Sequence, residues 1–579
     1  MITMKLFSKY MRRISFTITL FGVLLLIYDL GFDQPAFMQN VINSFYIFLV
    51  ACEILFIPIP YVSSRKIPVF RVWVFDFIFL VYLSVILLDF LKVIDLPFFR
   101  SFLSVYFAVI FSSFREFSFL RIKLKNIFYN PALLFVISFI TIIFTGAGML
   151  MLPNATTAGI SFIDSLFTST SAVCVTGLSV VDTGSSFTFF GQIIIMILIQ
   201  IGGLGIMTFA AYFSYFFRGG LSLENQLFQK EVTNTDKLAE VFKMLMRILY
   251  FTFLLEIAGA FLIFLTLDPA IMPSFDNRVF FSLFHAVSGF CNAGFSTLQN
   301  NLMEPGFAFN YPLHLIVAGL LIMGGLGFPI VFNFLHYIKH LVLNKWFTRK
   351  VKHIPWVISM NTRIVLITTT FLIVSGTILF YFFEYNNTLK EHSGIGKVIE
   401  AFFCSVTPRT AGFNTIDNSA ISGATILLVL FLMWVGASPG GTGGGVKTTT
   451  FAVSILNAIS LARGKKRIEV YRREISSLSI MRAYSMIFLS FVVIGFAVMI
   501  LSFTDGDKGL IKLVYETVSA YSTVGLSMGI TFDLSDGGKI ILTIVMFIGR
   551  VSMLTILVAL MRRTRFLNYR YPSEEILIN

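Results

Sequence analysis

A glycine-centred motif recurs four times along this chain at nearly constant spacing. The copies read Cys174-Val175-Thr176-Gly177-Leu178, Cys291-Asn292-Ala293-Gly294-Phe295, Arg409-Thr410-Ala411-Gly412-Phe413 and Ser522-Thr523-Val524-Gly525-Leu526. The glycines stand 117, 118 and 113 residues apart. Ser165-Leu166-Phe167 precedes Gly177 by the offset at which Ser282-Leu283-Phe284 precedes Gly294. A fixed period marks one structural unit used repeatedly. In an apolar chain, four such loops point to a ring of backbone carbonyls about one axis, the device that replaces an ion's water.

Composition places the repeats in a membrane. Of 579 residues, 56% are hydrophobic and only 13% charged, against about 25% charged in soluble domains. The net charge is +14. The basic residues sit in short loops, where they set topology, and no basic-aromatic patch signals nucleic acid. Cys52, Cys174, Cys291 and Cys404 show neither a CxxC nor a Cys/His metal spacing and read as small packing residues. The basic start Met1–Arg13 runs into an apolar stretch without a small-residue cleavage site, so it reads as a retained first span.

Four spans are expected before the repeats, near 14–32, 41–61, 71–95 and 98–117, each about the ~20 residues a bilayer requires. Each repeat then reads as a long apolar helix, a short segment, the Gly loop and a second long helix. The short segments (162–173, 279–290, 395–407 and 509–521) cannot span a bilayer and must re-enter it. This gives residues 1–125 as N-terminal membrane helices without an assigned role. Pore units follow at 126–229, 230–352, 353–473 (with a Gly-rich break) and 474–579 (with the C-terminus). The expected fold is all-α and polytopic: four tandem helix–pore loop–helix units around one pseudo-fourfold pore, after about four extra transmembrane helices.

Lys and Arg fall in every second loop: Lys5, Lys9, Arg12 and Arg13; Arg65, Lys66 and Arg71; Arg115, Arg121, Lys123 and Lys125; Arg218 and Lys230; Lys345, Arg349, Lys350 and Lys352; Arg463, Lys465, Lys466 and Arg467; Arg562, Arg563 and Arg565. That alternation puts both termini in the cytoplasm and brings all four Gly loops in from outside.

Glycine can turn successive carbonyls the same way and lets backbone approach a ligand closely. The packing role of small residues between membrane helices suits Gly202, Gly203, Gly205, Gly324, Gly325 and Gly327, but not the four glycines that share a register after a short helix. The short helices aim their negative C-terminal ends at the loops, which favours a cation.

These loops, in this order, resemble the pore loops of the Trk/Ktr/HKT superfamily of potassium transporters, with bacterial TrkH- and KtrB-like pore subunits nearest in kind. The match covers about residues 130–565; residues 1–125 depart from the short KtrB-like layout. The resemblance implies a filter of Val175, Thr176 and Gly177; Asn292, Ala293 and Gly294; Thr410, Ala411 and Gly412; and Thr523, Val524 and Gly525, with potassium bound there. In plant members a Ser at the first filter glycine accompanies sodium selectivity; Gly177 stands here, which favours potassium. The loops share only one Gly each, so fewer ion sites and weaker selectivity are expected than in a TVGYG channel.

The stretch Gly436–Thr448 resembles that family's intramembrane gate loop, with Ser438, Gly440, Gly441, Thr442, Gly443, Gly444, Gly445 and Lys447 as its working residues. The run Ser438–Gly445, with five glycines and a proline, cannot stay helical, and the break is expected in the third unit alone. The run lacks the GxxxxGK[ST] spacing and preceding strand of a phosphate loop. Lys447 either repels cations in the cavity or snorkels to the inner surface. Arg550 stands mid-way along the last span, where a charge is functional by default. It is expected to face the Ser438–Gly445 loop and help close it, or else to brace the fold. Asp164, Glu400 and Glu516 either concentrate cations at the mouth or serve as a cap and backbone acceptors. Asp29, Glu53, Asp76 and Asp89 resemble voltage-sensor countercharges, without an Arg-x-x-Arg ladder opposite them.

The function expected is potassium uptake through a gated, four-unit filter pore in a bacterial cytoplasmic (inner) membrane. The alternative is a sodium-permeable or sodium-coupled cation transporter, against which four equal re-entrant units argue. No nucleophile–base set or carboxylate pair supports an enzyme. No cofactor is expected; potassium is the substrate and membrane lipid the surround. The resemblance further implies a homodimer and cytosolic nucleotide-binding RCK subunits, TrkA- or KtrA-like, docking near Arg463–Arg473 and Arg562–Arg570.

Overall fold

A computed structural model describes residues 2–59, 61, 70–94, 102–119, 131–205, 241–346, 358–465 and 467–560. The described chain is almost wholly helical, with one two-residue hairpin, β1 (Glu469–Val470) on β2 (Arg473–Glu474). Among the described residues, six helices are long and apolar enough to cross a membrane. Of the basic positions used for topology, Arg65, Lys66, Arg121, Lys123, Lys125, Arg218, Lys230, Arg349, Lys350, Lys352, Lys466, Arg562, Arg563 and Arg565 lie outside the described residues, as does the segment 562–570.

The N-terminal helices are α1 (Ile2–Gly31), α2 (Ala36–Phe56), α3 (Phe70–Phe90) and α4 (Phe102–Phe119). They bury an apolar cluster of their own, including Ile42, Tyr46, Leu49, Leu83, Ile86 and Val109. Arg115, read from sequence as part of an inner loop, is instead buried in α4. Its Nε donates to Asp76 Oδ1 at 3.0 Å and its Nη1 to Glu116 Oε1 at 2.7 Å, with Glu53 Oε2 at 4.0 Å. The cost of burying that charge is offset by carboxylates that would themselves be costly alone. Asp29 accepts from the Tyr46 and Tyr106 hydroxyls at 3.1 and 2.9 Å.

Each later unit has the expected long–short–long order. The first helices are α5 (Pro131–Leu150), α8 (Val241–Thr266), α12 (Met360–Glu384) and α16 (Ser477–Thr504). The short helices are α6 (Phe162–Val173), α9 (Phe275–Cys291), α13 (Ile395–Val406) and α17 (Leu510–Ser522). The second helices are α7 (Phe189–Leu204), α10 (Tyr311–Leu326), α14 (Gly423–Trp434) and α18 (Asp536–Val551). All four second helices start on a polar cap: Thr188, Asn310, Ser422 and Ser535 each accept from a backbone N–H inside the first turn. Such a cap satisfies a donor that would otherwise be orphaned at the membrane surface.

One expectation fails here. The second helix is interrupted in the second and fourth units as well as the third, and in the first unit α7 ends at Gly205, beyond which the chain lies outside the described residues. α7 stops at Gly205 (φ +73°), α10 at Gly327 (φ +80°) and α18 at Ser552 (φ +72°), all left-handed. The chain resumes as α11 (Phe328–Trp346) after Gly327 and α19 (Met553–Leu560) after Ser552, and the α10–α11 pair bends by 103°. What distinguishes the third unit is the length of its interruption, since thirteen residues separate the end of α14 from the start of α15 (Thr448–Ala462). Close packing explains the glycines just before the breaks. A Cβ on Gly202, Gly324 or Gly549 would strike the carbonyl oxygen of Val173, Phe290 or Tyr521, in the last turn of the adjacent short helix.

Candidate functional site

The four Gly loops share a backbone as well as a spelling. Two residues before each glycine the chain turns left-handed, at Val175 (φ +55°), Asn292 (+61°), Thr410 (+76°) and Thr523 (+50°). It turns so again at Gly177 (+88°), Gly294 (+70°), Gly412 (+78°) and Gly525 (+93°). For β-branched Val175, Thr410 and Thr523 that conformation is strained by roughly 1–3 kcal/mol each, so the surroundings must hold it. The short helices supply the hold. Thr176, Ala293 and Val524 donate their N–H groups to Ser171, Ser288 and Ser519 carbonyls at 2.7, 2.7 and 2.9 Å, and Ala411 donates to Thr407 O at 2.9 Å.

The loops close on one another in chain order. A Cβ built on Gly177 would strike the Ala293 carbonyl; on Gly294, the Ala411 carbonyl; on Gly412, the Val524 carbonyl; and on Gly525, the Thr176 carbonyl. Only glycine permits that approach at every step of the ring. The twelve residues singled out in these loops are therefore brought together. Above them a cavity of about 260 Å³ is lined by all four glycines and by Ser179, Asp182, Asn300, Asn301, Asn414, Asp417, Asn418 and Ser527. Asn301 Nδ2 donates to Gly294 O at 3.1 Å.

The mouth acids are thus Asp182 and Asp417, which sequence reasoning missed. Each stands five residues after its glycine, and that shared offset was the available signal. Asp164 pairs with Lys539 at 2.6 Å, and its N–H is capped by Ser161. Glu400 is fully buried, accepts from Thr415 and lies 3.2 Å from His314 Nδ1. Glu516 is fully buried and accepts from Ser527 Oγ (2.5 Å), Met528 N (3.1 Å) and Thr531 Oγ1 (3.0 Å). His285 braces the second loop the same way: Nδ1 donates to Phe281 O and Nε2 meets Ser296 Oγ, both at 2.9 Å. These side chains pin the outgoing strand of a loop to its own short helix. Glu516→Ala orphans three donors at roughly 1–3 kcal/mol each if they stay dry, so a clear fall in the purified protein's melting temperature is expected; an unchanged value refutes the brace.

Below the ring lies the long interruption of the third unit. Its two ends are tied together: Gly436 N donates to Val446 O (3.0 Å), Val446 N to Trp434 O (3.2 Å) and Thr448 N to Ala437 O (3.2 Å). Residues between them form a flap that touches the second and fourth units and the Gly loop of its own unit. Ser438 N donates to Gly325 O at 3.0 Å and Ser438 Oγ to Leu326 O. Thr442 N donates to Gly324 O at 3.2 Å, and Gly444 N to Thr523 Oγ1 at 2.9 Å. Arg550, the penultimate residue of α18, donates Nη1 to Thr442 O and Nη2 to Gly202 O. It therefore sits at a helix break, not mid-helix, and beside the flap. Lys447 folds its Nζ back onto Gly443 O at 2.6 Å. A Cβ on Gly443 or Gly444 would strike the Thr410 or Thr523 hydroxyl, so the flap lies directly under the ring.

Comparison with known proteins follows the same outline. The family model described as TrkH, cation transport protein, matches residues 97–565. The chain is 36% identical to the potassium/sodium uptake protein NtpJ of Enterococcus hirae, over 78% of this chain and 97% of that one. It is also 36% identical to the Ktr system potassium uptake protein B of Bacillus subtilis, over 78% of this chain and 98% of that one. The crystal structure of the potassium transporter TrkH from Vibrio parahaemolyticus shares the fold, with a TM-score of 0.62 and 17% identity over 96% of this chain and 98% of that one.

Proposed function

Because the chain belongs to the TrkH family of cation transport proteins, we propose that it takes up potassium across a cell membrane through a gated pore made of four covalently linked units. The observation that carries the reading is the closed ring of Gly177, Gly294, Gly412 and Gly525. Potassium leaves the polar outer cavity and exchanges water for loop carbonyls held in place by the short helices. The chemistry needs many oxygens at fixed distance, and strained backbone braced by Glu516, Glu400 and His285 meets that need. Asp182 and Asp417 raise the local cation concentration at the mouth.

The flap, Ser438 to Gly445 with Lys447, is the gate in this reading, and Arg550 its latch. Opening requires the flap to leave the carbonyls of Gly324, Gly325 and Leu326 while its tied ends stay closed, a hinge motion that leaves α14 and α15 folded. Regulatory RCK subunits would reach the gate through the cytoplasmic end of α15, where Lys465 and Arg467 are exposed beside the β1–β2 hairpin. A homodimer completes the proposed assembly. Rubidium and sodium fluxes in reconstituted vesicles test the function: rubidium should exceed sodium, and equal or sodium-dominated flux would favour the sodium-coupled alternative.

The N-terminal helices stand outside this mechanism. They bury their own core, and the Ktr B relative aligns over 98% of its own length with only 78% of this chain. A truncated chain starting near Asn126 should retain rubidium flux; a folded truncated protein without flux would make residues 1–125 part of the transport machinery.

A further inference from the structure

Arg409 carries a charge that its surroundings do not balance. It lies in the third Gly loop, at the C-terminal end of α13, where its Nη2 donates to Gly436 O at 3.4 Å. Its Nε is buried without a partner. Among the described residues no carboxylate pairs with it. The buried acids nearest in sequence are engaged elsewhere: Glu400 with Thr415 and His314, and Glu384 with Thr388, Ser422 and Thr425. The dipole of α13 supplies only about half a compensating charge. The side chain as a whole is half-buried, but its Nε is sealed from water, and a guanidinium edge left unpaired there is disfavoured.

Arg409 also lines a separate small cavity between the second and third units, of about 20 Å³, walled by Leu321, Ile373 and Val406 and floored by Ala437 of the flap hinge. The other hydroxyl-bearing wall is Thr369 of α12, which is 7% exposed and whose Oγ1 is likewise unpartnered. Two unmet donors thus converge on one space large enough for a single water-sized particle. A water would satisfy hydrogen bonds and leave the charge; a halide of similar size satisfies both.

We propose that Arg409 and Thr369 form a binding site for one small monovalent anion, chloride in the cell, that neutralises the third loop from outside the conduction path. The anion lets Arg409 sit three residues from Gly412 without repelling the ion in the ring. Through Gly436 and Ala437 it also stiffens the root of the flap.

The test is independent of transport. The full-length protein is purified and its thermal unfolding followed in potassium chloride, bromide and gluconate at one potassium concentration. A ligand that binds only the folded state raises the melting temperature with its concentration. Chloride and bromide should therefore stabilise the protein by several degrees over gluconate. Thr369→Val, which removes a hydroxyl at constant shape, should abolish most of that difference, as should Arg409→Gln. Crystals grown in bromide should show an anomalous peak between the two side chains. Equal melting in the three salts, or a halide effect that persists in Thr369→Val, overturns the proposal, and the first result means that the cavity holds water alone.

Discussion

Replacing Gly177 with serine lowers the potassium-to-sodium permeability ratio by about tenfold. Two penalties act at this position. The backbone is left-handed at φ +88°, which costs an L side chain roughly 1–2 kcal/mol. The new Cβ also falls on the Ala293 carbonyl, backbone that cannot swing away as a side-chain tip would. The ring relieves both by opening between the first and second units, which lengthens the distance at which carbonyls replace potassium's water. A shift of about 1.4 kcal/mol between the two ions is a factor of ten. Rubidium and sodium fluxes in vesicles read it directly. Gly148, with nothing within 4 Å of its added Cβ, is the control: Gly148→Ser should leave the ratio unchanged. If Gly177→Ser also leaves it unchanged, Gly177 is not part of the filter.

Removing the latch has an effect of similar or larger size on basal flux. Arg550 donates to carbonyls of the flap and of the first unit, at Thr442 and Gly202. Hydrogen bonds to a charged group contribute about 1.5–3 kcal/mol each. Arg550→Ala removes the bond to Thr442, and with it a charge that opposes a passing cation by about 4 kcal/mol at 4 Å and an effective dielectric of 20. Basal rubidium flux should rise at least tenfold, and dependence on the regulatory subunits should weaken. Deleting Gly440–Gly445 should do the same by removing the flap itself. If both variants fold, insert and keep the parent's basal flux, the gate lies elsewhere. Arg550→Lys separates charge from geometry: it keeps the charge but cannot bridge both carbonyls, so a partial rise is expected.

The four loops were legible because their requirement is local. The glycine is written in every copy, and the period exposes it without any neighbour being known; the left-handed turn two residues earlier, on β-branched Val175, Thr410 and Thr523, is not. The expected length of the short helices was legible for the same reason: each holds too few apolar residues to span a bilayer. The end of α7 and the breaks after α10 and α18 were not. Gly202-Gly203 and Gly324-Gly325 suit helix packing as well as helix ending, and Ser552 carries no breaking signal at all. Those breaks depend on where the helix passes the last carbonyls of its short helix, a distance that only the packed unit defines.

Charged residues divided along the same line. Arg115 looked like one more inner-loop cation, because its partners Asp76 and Glu53 lie on two other helices. For Glu400 and Glu516 the sequence left two readings, cation attraction or backbone acceptor; both are sealed inside and hold loops, Glu516 in part by accepting from Met528 N. The sequence by itself determined the repeat, the re-entrant segments and the chemistry of each loop, since these follow from residue type and spacing along one strand of backbone. Only the tertiary structure decided that the four loops close in chain order, that the flap lies beneath them and that Arg550 reaches both flap and first unit. Those are distances between residues from dozens to hundreds of positions apart, set by packing rather than by any local preference.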